Sequence, residues 1–246
     1  MRSGKLAIVA TKWHSDSSLR AALHDLGTLL VREESLQTVL QRVVDLARGG
    51  IGECDLASVT YLKDGQAETI VSTDLLAEEI DQAQYDFDAG PCLEAIRRQE
   101  LVSVPSMAEP GEWTEFRNAA MAGGVRSSFS LPLATGEVQL GALNLYGRKD
   151  HAFNSVPPDA ALLFAEQAAT AVWASRTLER TRDVVAHLET ALSTREQIGI
   201  AVGIVMANEK MSSEEAFAKL VQVSQHRNVK LREIAMEVSA TGATPN

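Results

Sequence analysis

Cysteine and histidine are scarce in this chain, and their spacing excludes two classes of protein. The only cysteines, Cys54 and Cys92, are too few and too far apart for a disulfide framework or a cysteine metal cluster. No His-x3-His or Cys-x2-Cys spacing occurs among the five histidines and two cysteines. The sequence therefore predicts no metal site and no cofactor.

Long apolar runs are also missing. No stretch approaches the roughly 18 residues that a membrane span needs. The apolar run from Leu6 to Ala10 is too short for a signal peptide. With 45% apolar and 23% charged residues among 246, the composition is that of a folded protein rather than a disordered one. We expect a cytoplasmic protein without a membrane partner.

Positive charge is in the minority, since the net charge is −10, and this argues against indiscriminate nucleic-acid binding by the whole molecule. The charge is unevenly spread, however. From Thr190 onward basic and acidic residues balance, and the window from Ala216 to Arg232 has four basic residues and no acidic one. A local basic patch is therefore expected near the C-terminus.

Hydrophobic periodicity predicts an α+β domain over residues 17–178, preceded by a mobile arm over 1–16. Helical spacing runs over 19–30 and 36–46, and period-two spacing over 56–62 and 67–72 predicts a hairpin. A helical stretch over 75–83, a short helix from Pro91 to about Arg98 and a strand at 101–104 follow. Two longer strands, 129–133 and 138–146, turn at 135–137. An antiparallel sheet flanked by helices is expected.

A long helical pattern follows Pro158. Apolar and small residues occupy the a and d positions of three heptads, namely Ala171, Ala174, Leu178, Thr181, Val185, Leu188 and Leu192. This spacing predicts a coiled-coil linker helix over 171–194 that pairs two chains. The alternative is one long connecting helix that packs on its own domain.

The last 55 residues repeat one apolar template three times, which predicts an all-α three-helix bundle. The three sets are Ile198, Ala201, Val202, Val205; Phe217, Leu220, Val221, Ser224; and Leu231, Ile234, Ala235, Val238. Ser212-x-x-Glu215 predicts a capping box, and Asn228 is expected to cap the N-terminus of the third helix.

These C-terminal residues resemble a known family. The run from Arg195 to Met206, then Ala216-Phe217, then the segment from Ser224 to Arg232, is similar to the ANTAR domain of bacterial transcription antiterminators over about 190–242. The segments Ala89 to Ala95, Gly124 to Ser127 and Leu140 to Tyr146 resemble a GAF sensor domain.

The resemblance implies a regulator whose C-terminal module recognises RNA, as tandem stem-loops with short loops, under control of the GAF domain. It also implies a homodimer, in agreement with the heptads. A GAF-like pocket for an unidentified small molecule would lie between the sheet and the segment 90–96. Its candidate wall residues are Cys92, Phe129 and Asn144.

A binder of RNA loops needs cations for phosphates and polar groups for base edges. The candidate RNA-binding residues are Gly203, Lys219, Ser224, Gln225, Arg227, Asn228, Lys230 and Arg232. Ser224 falls at a core-periodic position, and Phe217 is expected in the core rather than as a stacking platform. Gly199 and Gly203 lie on one helical face, suited either to a packed helix or to a closely approaching RNA backbone.

Two other hypotheses for the function of the chain remain open. Cys92 at a helix N-terminus could be a reactive thiolate, with Cys54 as its resolving partner, in a redox enzyme or switch. The chain could instead be a dimeric adaptor that binds a protein through its acidic domain. No catalytic residue arrangement is otherwise visible, and the acidic residues Asp74, Glu78, Glu79, Asp81, Asp86 and Asp88 are expected to form a solvated face.

Overall fold

The computed structural model describes residues 17–29, 35–63 and 65–244, and the mobile arm expected over 1–16 lies outside them. Two compact units divide the chain, residues 1–179 and 180–246. The first contains α1 (Ser17–Leu29), α2 (Leu36–Gly50), β1 (Leu56–Lys63), β2 (Gln66–Ser72), α3 (Leu75–Asp86), α4 (Pro91–Arg98), β3 (Val102–Val104), α5 (Thr114–Ala122), β4 (Ser127–Thr135) and β5 (Val138–Gly147). A long helix α6 (Pro158–Glu209) follows, then α7 (Ser213–Arg227) and α8 (Leu231–Thr241). The overall class is α+β, as the hydrophobic periodicity predicted.

The five strands pair antiparallel in the order β2-β1-β5-β4-β3. Side chains alternate between the two faces of such a sheet. On one face Val59, Leu131, Leu143 and their neighbours join a single apolar core with residues of α1, α2 and α6. The other face carries small polar residues at its centre and is covered by α3, α4 and α5.

Helix α5 was not predicted from the sequence. It spans nine residues, and only Phe116 and Ala120 are buried on it. Two apolar positions one turn apart are too few to stand out as a helical period in a sequence.

The C-terminal unit holds a small apolar core built from the end of α6 together with α7 and α8. Its buried members are Ala201, Val202, Val205, Ala216, Leu220, Ile234, Ala235 and Val238. The first and third predicted stripes are confirmed, and Ser212 and Glu215 form the predicted capping box. The second stripe is wrong in its register, because α7 buries Ala216 where Phe217 was expected.

Asn228 does not cap the N-terminus of the last helix, contrary to the sequence prediction. It ends α7 as its C-cap, in the left-handed conformation with φ 51°, and Lys230 is the N-cap of α8. Asparagine is common at both kinds of helix end, because it tolerates a positive φ and its side chain can also cap a helix N-terminus. Asn228 ends α7, and two residues then separate it from α8.

Candidate functional sites

The basic residues predicted to bind RNA are exposed or half-buried on α7, on α8 and in the turn between them, but three of the four already face a carboxylate. Arg227 Nη1 lies 2.9 Å from Glu237 Oε2, and Arg232 Nη2 lies 4.0 Å from Glu233 Oε1. Lys219 pairs with Glu209, and this contact lowers the pKa of the Glu209 carboxyl. Exposed pairs of this kind are weak and exchange readily with phosphates.

Arg227, Lys230 and Arg232 lie within six residues of one another around the α7–α8 turn, whereas Lys219 lies farther back along α7. Eight residues of α7 separate Lys219 from Arg227, about 12 Å along the helix axis. Lys230 is exposed and, in the parts of the chain that the structure describes, it has no ion-pair partner. It is therefore the cation most available to a phosphate.

The polar candidates at this turn have different environments. The Ser224 hydroxyl donates to the Val229 carbonyl at 2.6 Å, so it holds the turn together. Gln225 and Asn228 are exposed. Ser224 accordingly positions the turn. The neighbouring Gln225 side chain is exposed to solvent and accessible to RNA.

Gly203 and Gly199 are exposed on α6, and a Cβ built at either position meets nothing within 4 Å. No neighbouring helix among the described residues requires their small size. Phe217 was expected in the core, yet 45% of it is exposed. The C-terminal unit thus exposes a smooth strip of α6 at Gly199 and Gly203 and an aromatic ring at Phe217.

An open groove of about 470 Å³ also lies in this unit, between α6 and the start of α8. It is lined by Glu189, Thr190, Ser193, Thr194, Gln197, Arg232, Glu233 and Met236. Two of its charges are negative and one is positive, so the groove itself is a poor phosphate site.

In the first unit, the helix-covered face of the sheet holds an unusual set of buried polar side chains, here called the polar cluster. The polar cluster consists of Ser58, Thr60, Asp81, Gln84, Ser130, Asn144 and Tyr146, all inaccessible to solvent. Strand register places Ser58, Asn144 and Ser130 side by side across three strands. Asp81 and Gln84 reach them from α3.

Asp81 is the centre of the polar cluster. Asn144 Nδ2 donates to its Oδ1 at 3.0 Å, Thr69 Oγ1 donates to its Oδ2 at 2.8 Å, and the Tyr146 hydroxyl also donates to Oδ1. Burial raises the pKa of the Asp81 carboxyl to about 6, although these hydrogen bonds oppose the rise. The expectation of a solvated acidic face is therefore wrong for Asp81 and correct for the other five residues, which are exposed.

Gln84 joins α3 to both the sheet and α4. Its Nε2 donates to the Tyr146 hydroxyl at 3.2 Å, and its Oε1 accepts from the Cys92 backbone N–H at 2.8 Å. A Cβ on Gly90 would lie 2.3 Å from Gln84 Oε1. A side chain at residue 90 would therefore displace this bridge.

The three residues predicted to line the sensor pocket do not share one site. Asn144 belongs to the polar cluster, and Cys92 touches it through a 3.0 Å hydrogen bond between its Sγ and Thr60 Oγ1. Phe129 points to the opposite face of the sheet, where it stacks on Phe153 with 5.3 Å between ring centroids. Phe129 is a core residue there, apart from the polar cluster.

Cys92 lies in the first turn of α4, as predicted, but its surroundings do not activate the thiol. Burial, together with the nearby Asp81 charge, raises the pKa of Cys92 to about 12. Burial likewise raises the pKa of Cys54 to about 12. Both thiols are protonated at neutral pH, so nothing favours the redox reading.

Sequence reasoning missed most of the polar cluster. The available signal was a set of small polar residues at alternate positions of three strands, Ser58 and Thr60, Ser128 and Ser130, and Asn144. In antiparallel strands that pair across one sheet, such residues meet on one face.

Comparison with protein families now identifies the two units. A GAF domain model matches residues 33–172, which is more than half of the chain. The chain belongs to the GAF domain family. An ANTAR domain model matches residues 186–238, so this is a GAF–ANTAR chain, with a sensor domain and an RNA-binding antitermination domain. No curated protein matches the chain at a significant level.

Several solved structures are similar to this chain. A free methionine-R-sulfoxide reductase from Neisseria meningitidis is 15% identical with a TM-score of 0.50, covering 67% of this chain and 95% of that one. The GAF domain of an Acinetobacter phosphoenolpyruvate-protein phosphotransferase is 15% identical, with TM-score 0.48 and coverages of 65% and 93%. A Stigmatella aurantiaca phytochrome photosensory core module is 14% identical, with TM-score 0.49; 82% of this chain matches 43% of that module. Among the described residues, none of the helices combines the length and apolar character of a membrane span.

Proposed function

We propose that this GAF–ANTAR chain is a cytoplasmic regulator of gene expression that binds paired RNA hairpin loops through its C-terminal bundle. The GAF domain controls that binding in response to a small molecule. The observation that carries the proposal is the acid-free basic window from Ala216 to Arg232, which lies wholly within the ANTAR match. In a chain with a net charge of −10, this window is where a polyanion meets the least repulsion.

The exposed groups of this window suit a hairpin loop. Lys230 offers an ammonium group that has no ion-pair partner among the described residues, and Arg227 and Arg232 can exchange their exposed carboxylates for phosphates. The Phe217 ring offers a face on which a splayed base can stack. Gln225 supplies hydrogen-bonding groups for a base edge. We keep the domain boundaries predicted from the sequence as part of this proposal, with 17–178 for the sensor domain and 190–242 for the RNA-binding domain.

The first prediction tests RNA binding itself. Replacing Lys219, Lys230 and Arg232 together by Ala should weaken binding of the full chain to a tandem short-loop hairpin RNA. The salt dependence should also fall, by about 0.7 to 0.9 in the slope of log K against log salt for each phosphate that is no longer neutralised. Electrophoretic shift across a salt series measures both quantities.

A matched control removes three cations from the GAF domain instead. The control replaces by Ala three exposed cations that each face one carboxylate, namely Lys63, Arg98 and Lys149. Both triple variants therefore lose three positive charges. This control variant should bind as the unmodified chain does. Equal affinity for the hairpin RNA and for a scrambled RNA would contradict the proposal. An equal loss of RNA affinity in both triple variants would also contradict it.

A second prediction uses the open space at Gly203. Because a Cβ there meets nothing within 4 Å, Gly203→Ala should stabilise the helix by about 1 kcal/mol. If RNA approaches this strip closely, the same change should weaken RNA binding. Thermal unfolding and RNA shift on one sample separate the two effects. A more stable variant with unchanged RNA affinity would remove Gly203 from the proposed interface.

We further propose that two chains pair through α6. Residues 180–193 of α6 are exposed throughout, and they include Val185, Leu188 and Leu192, at 48%, 59% and 68% exposure. Ala171 instead packs in the GAF core, and Ala174 and Leu178 are half-buried, so the exposed part of the seam begins at Thr181 rather than at residue 171. A second copy in parallel register would cover this seam with its own a and d residues. Two bundles would then be available for two hairpins.

A further inference from the structure

The basic window from Ala216 to Arg232 has no acidic residue in the sequence, but the fold brings carboxylates onto it from other segments. Glu209 at the end of α6 pairs with Lys219, and Glu237 of α8 pairs with Arg227 at 2.9 Å. These two contacts are here called the ANTAR ion pairs. In each of them the carboxylate lies ten residues from its cation along the chain, outside the basic window.

Glu209 occupies a position that does not favour a carboxylate for helical reasons. It is the last residue of α6, where the helix dipole opposes a negative charge. The Lys219 ammonium group and the Thr244 hydroxyl, whose Oγ1 donates to Glu209 Oε1 at 3.0 Å, lower the pKa of the Glu209 carboxyl. The adjacent Asn208 Nδ2 donates to the Gly242 carbonyl at 2.7 Å, which fixes the end of α6 to the segment after α8. Glu209 is therefore ionised at neutral pH and held against Lys219.

The ANTAR ion pairs are more shielded from water than comparable pairs of the GAF domain. Their four side chains are 30% to 40% exposed. The Lys63–Glu68 and Lys149–Glu53 pairs are 49% to 74% exposed. Because water and salt screen a half-buried pair less than an exposed one, the ANTAR ion pairs compete better with an incoming anion.

We propose that Glu209 and Glu237 are internal competitors of RNA, which occupy Lys219 and Arg227 until phosphates displace them. The proposal rests on the proposed function, in which the basic window binds RNA, and adds an autoinhibitory contact to it. Carboxylates and phosphates accept the same charged hydrogen bonds from Lys and Arg, so one replaces the other directly. Every polyanion must break the same pairs. An RNA that offers only phosphates therefore binds weakly, whereas a hairpin loop adds contacts to its bases.

The test neutralises the two competing carboxylates. Glu209→Gln with Glu237→Gln removes both charges and nearly preserves side-chain size. The matched control is Glu53→Gln with Glu68→Gln, which makes the same charge change and releases two lysines in the GAF domain. Electrophoretic shift of the full chain measures the affinity for the tandem hairpin RNA and for a scrambled RNA. The ionic strength is kept at about 0.15 M, where long-range charge effects are screened.

Release of the two cations should raise the affinity for both RNAs, by about twofold to fivefold for each carboxylate removed. The control variant should stay within about 1.5-fold of the unmodified chain. The single variants Glu209→Gln and Glu237→Gln test one pair at a time, so a folding defect in one leaves the other as a test. Unchanged or lower RNA affinity in folded variants, or an equal gain in the control, would overturn the proposal.

A mutant cycle shows whether Glu209 acts through Lys219. In a Lys219→Ala background, Glu209→Gln should no longer raise RNA affinity, because no cation is left to release. A general reduction of negative charge would instead give the same gain with or without Lys219. A gain that persists in the Lys219→Ala background would therefore overturn the assignment of Glu209 as a competitor at Lys219.

The outcomes also separate this proposal from hairpin recognition itself. Selective hairpin binding without a gain in the variants overturns only the role of the ANTAR ion pairs. A gain combined with equal affinity for hairpin and scrambled RNA overturns only the proposed function. If neither the unmodified chain nor any variant binds either RNA, both proposals are overturned.

Discussion

Asp81→Asn should be more stable than the unmodified chain at pH 7.5, and the advantage should vanish near pH 4. The folded-state pKa of Asp81 is raised to about 6 from the usual aspartate value of 3.8. Protonated Asp81 therefore favours folding, and this contribution is lost as pH rises from about 4 through about 6. The difference corresponds to about 3 kcal/mol, since one pKa unit is about 1.36 kcal/mol.

The asparagine is expected to keep the hydrogen bonds of the polar cluster. Its Oδ1 can accept from Asn144 and Tyr146 as the carboxylate does, and its Nδ2 can donate to Thr69 Oγ1. The variant loses the charge and keeps the shape. For a domain of this size the gain at pH 7.5 is about 6 to 12 °C in Tm.

Differential scanning calorimetry of the full chain between pH 4 and 7.5 measures this effect. Other groups also titrate, so the decisive quantity is the difference between variant and unmodified chain at each pH. Glu79→Gln, at an exposed position of α3, should give a difference that does not change across the range. Parallel curves for Asp81→Asn and the unmodified chain would contradict the prediction.

Strong local periodicity explains why much of the fold could be predicted from sequence. Alternation in β4 and β5, and the three-and-four spacing of α2 and of the C-terminal unit, each identify an element independently of its partners. Asn228 could not be assigned in this way, because one residue type serves two kinds of helix end.

The sequence did not predict the polar cluster, because polar residues occupy helix positions at which apolar residues are expected. Helix α3 buries Ala77, Ile80, Asp81 and Gln84, which follow the i, i+3, i+4, i+7 template of a buried face. Half of that face is polar, so a search for apolar residues passed over it. The same effect misplaced Phe217, since its smaller neighbour Ala216 occupies the core position. Burial in this chain follows helix position more closely than side-chain size.

Breaking the α6 seam should convert the proposed dimer into a monomer. Val185→Glu with Leu188→Glu replaces one a and one d position by a good helix former, so α6 itself should persist. Pairing would then place four carboxylates together in an apolar seam without counter-charges, which opposes association. Light scattering should give the 26.5 kDa mass of one chain for this variant and twice that mass for the unmodified protein.

The effect on RNA should be large and specific to paired hairpins. Two linked binding modules exceed the affinity of one by about 10² to 10⁴, and this factor disappears with the dimer. Affinity for a single hairpin should stay unchanged, because the bundle core lies beyond the substituted positions. Ala186→Glu with His187→Glu makes the same charge change at exposed positions outside the heptad seam and should leave mass and affinity intact. A monomeric unmodified chain, or equal weakening for single and tandem hairpins, would show that α6 does not link two RNA-binding modules.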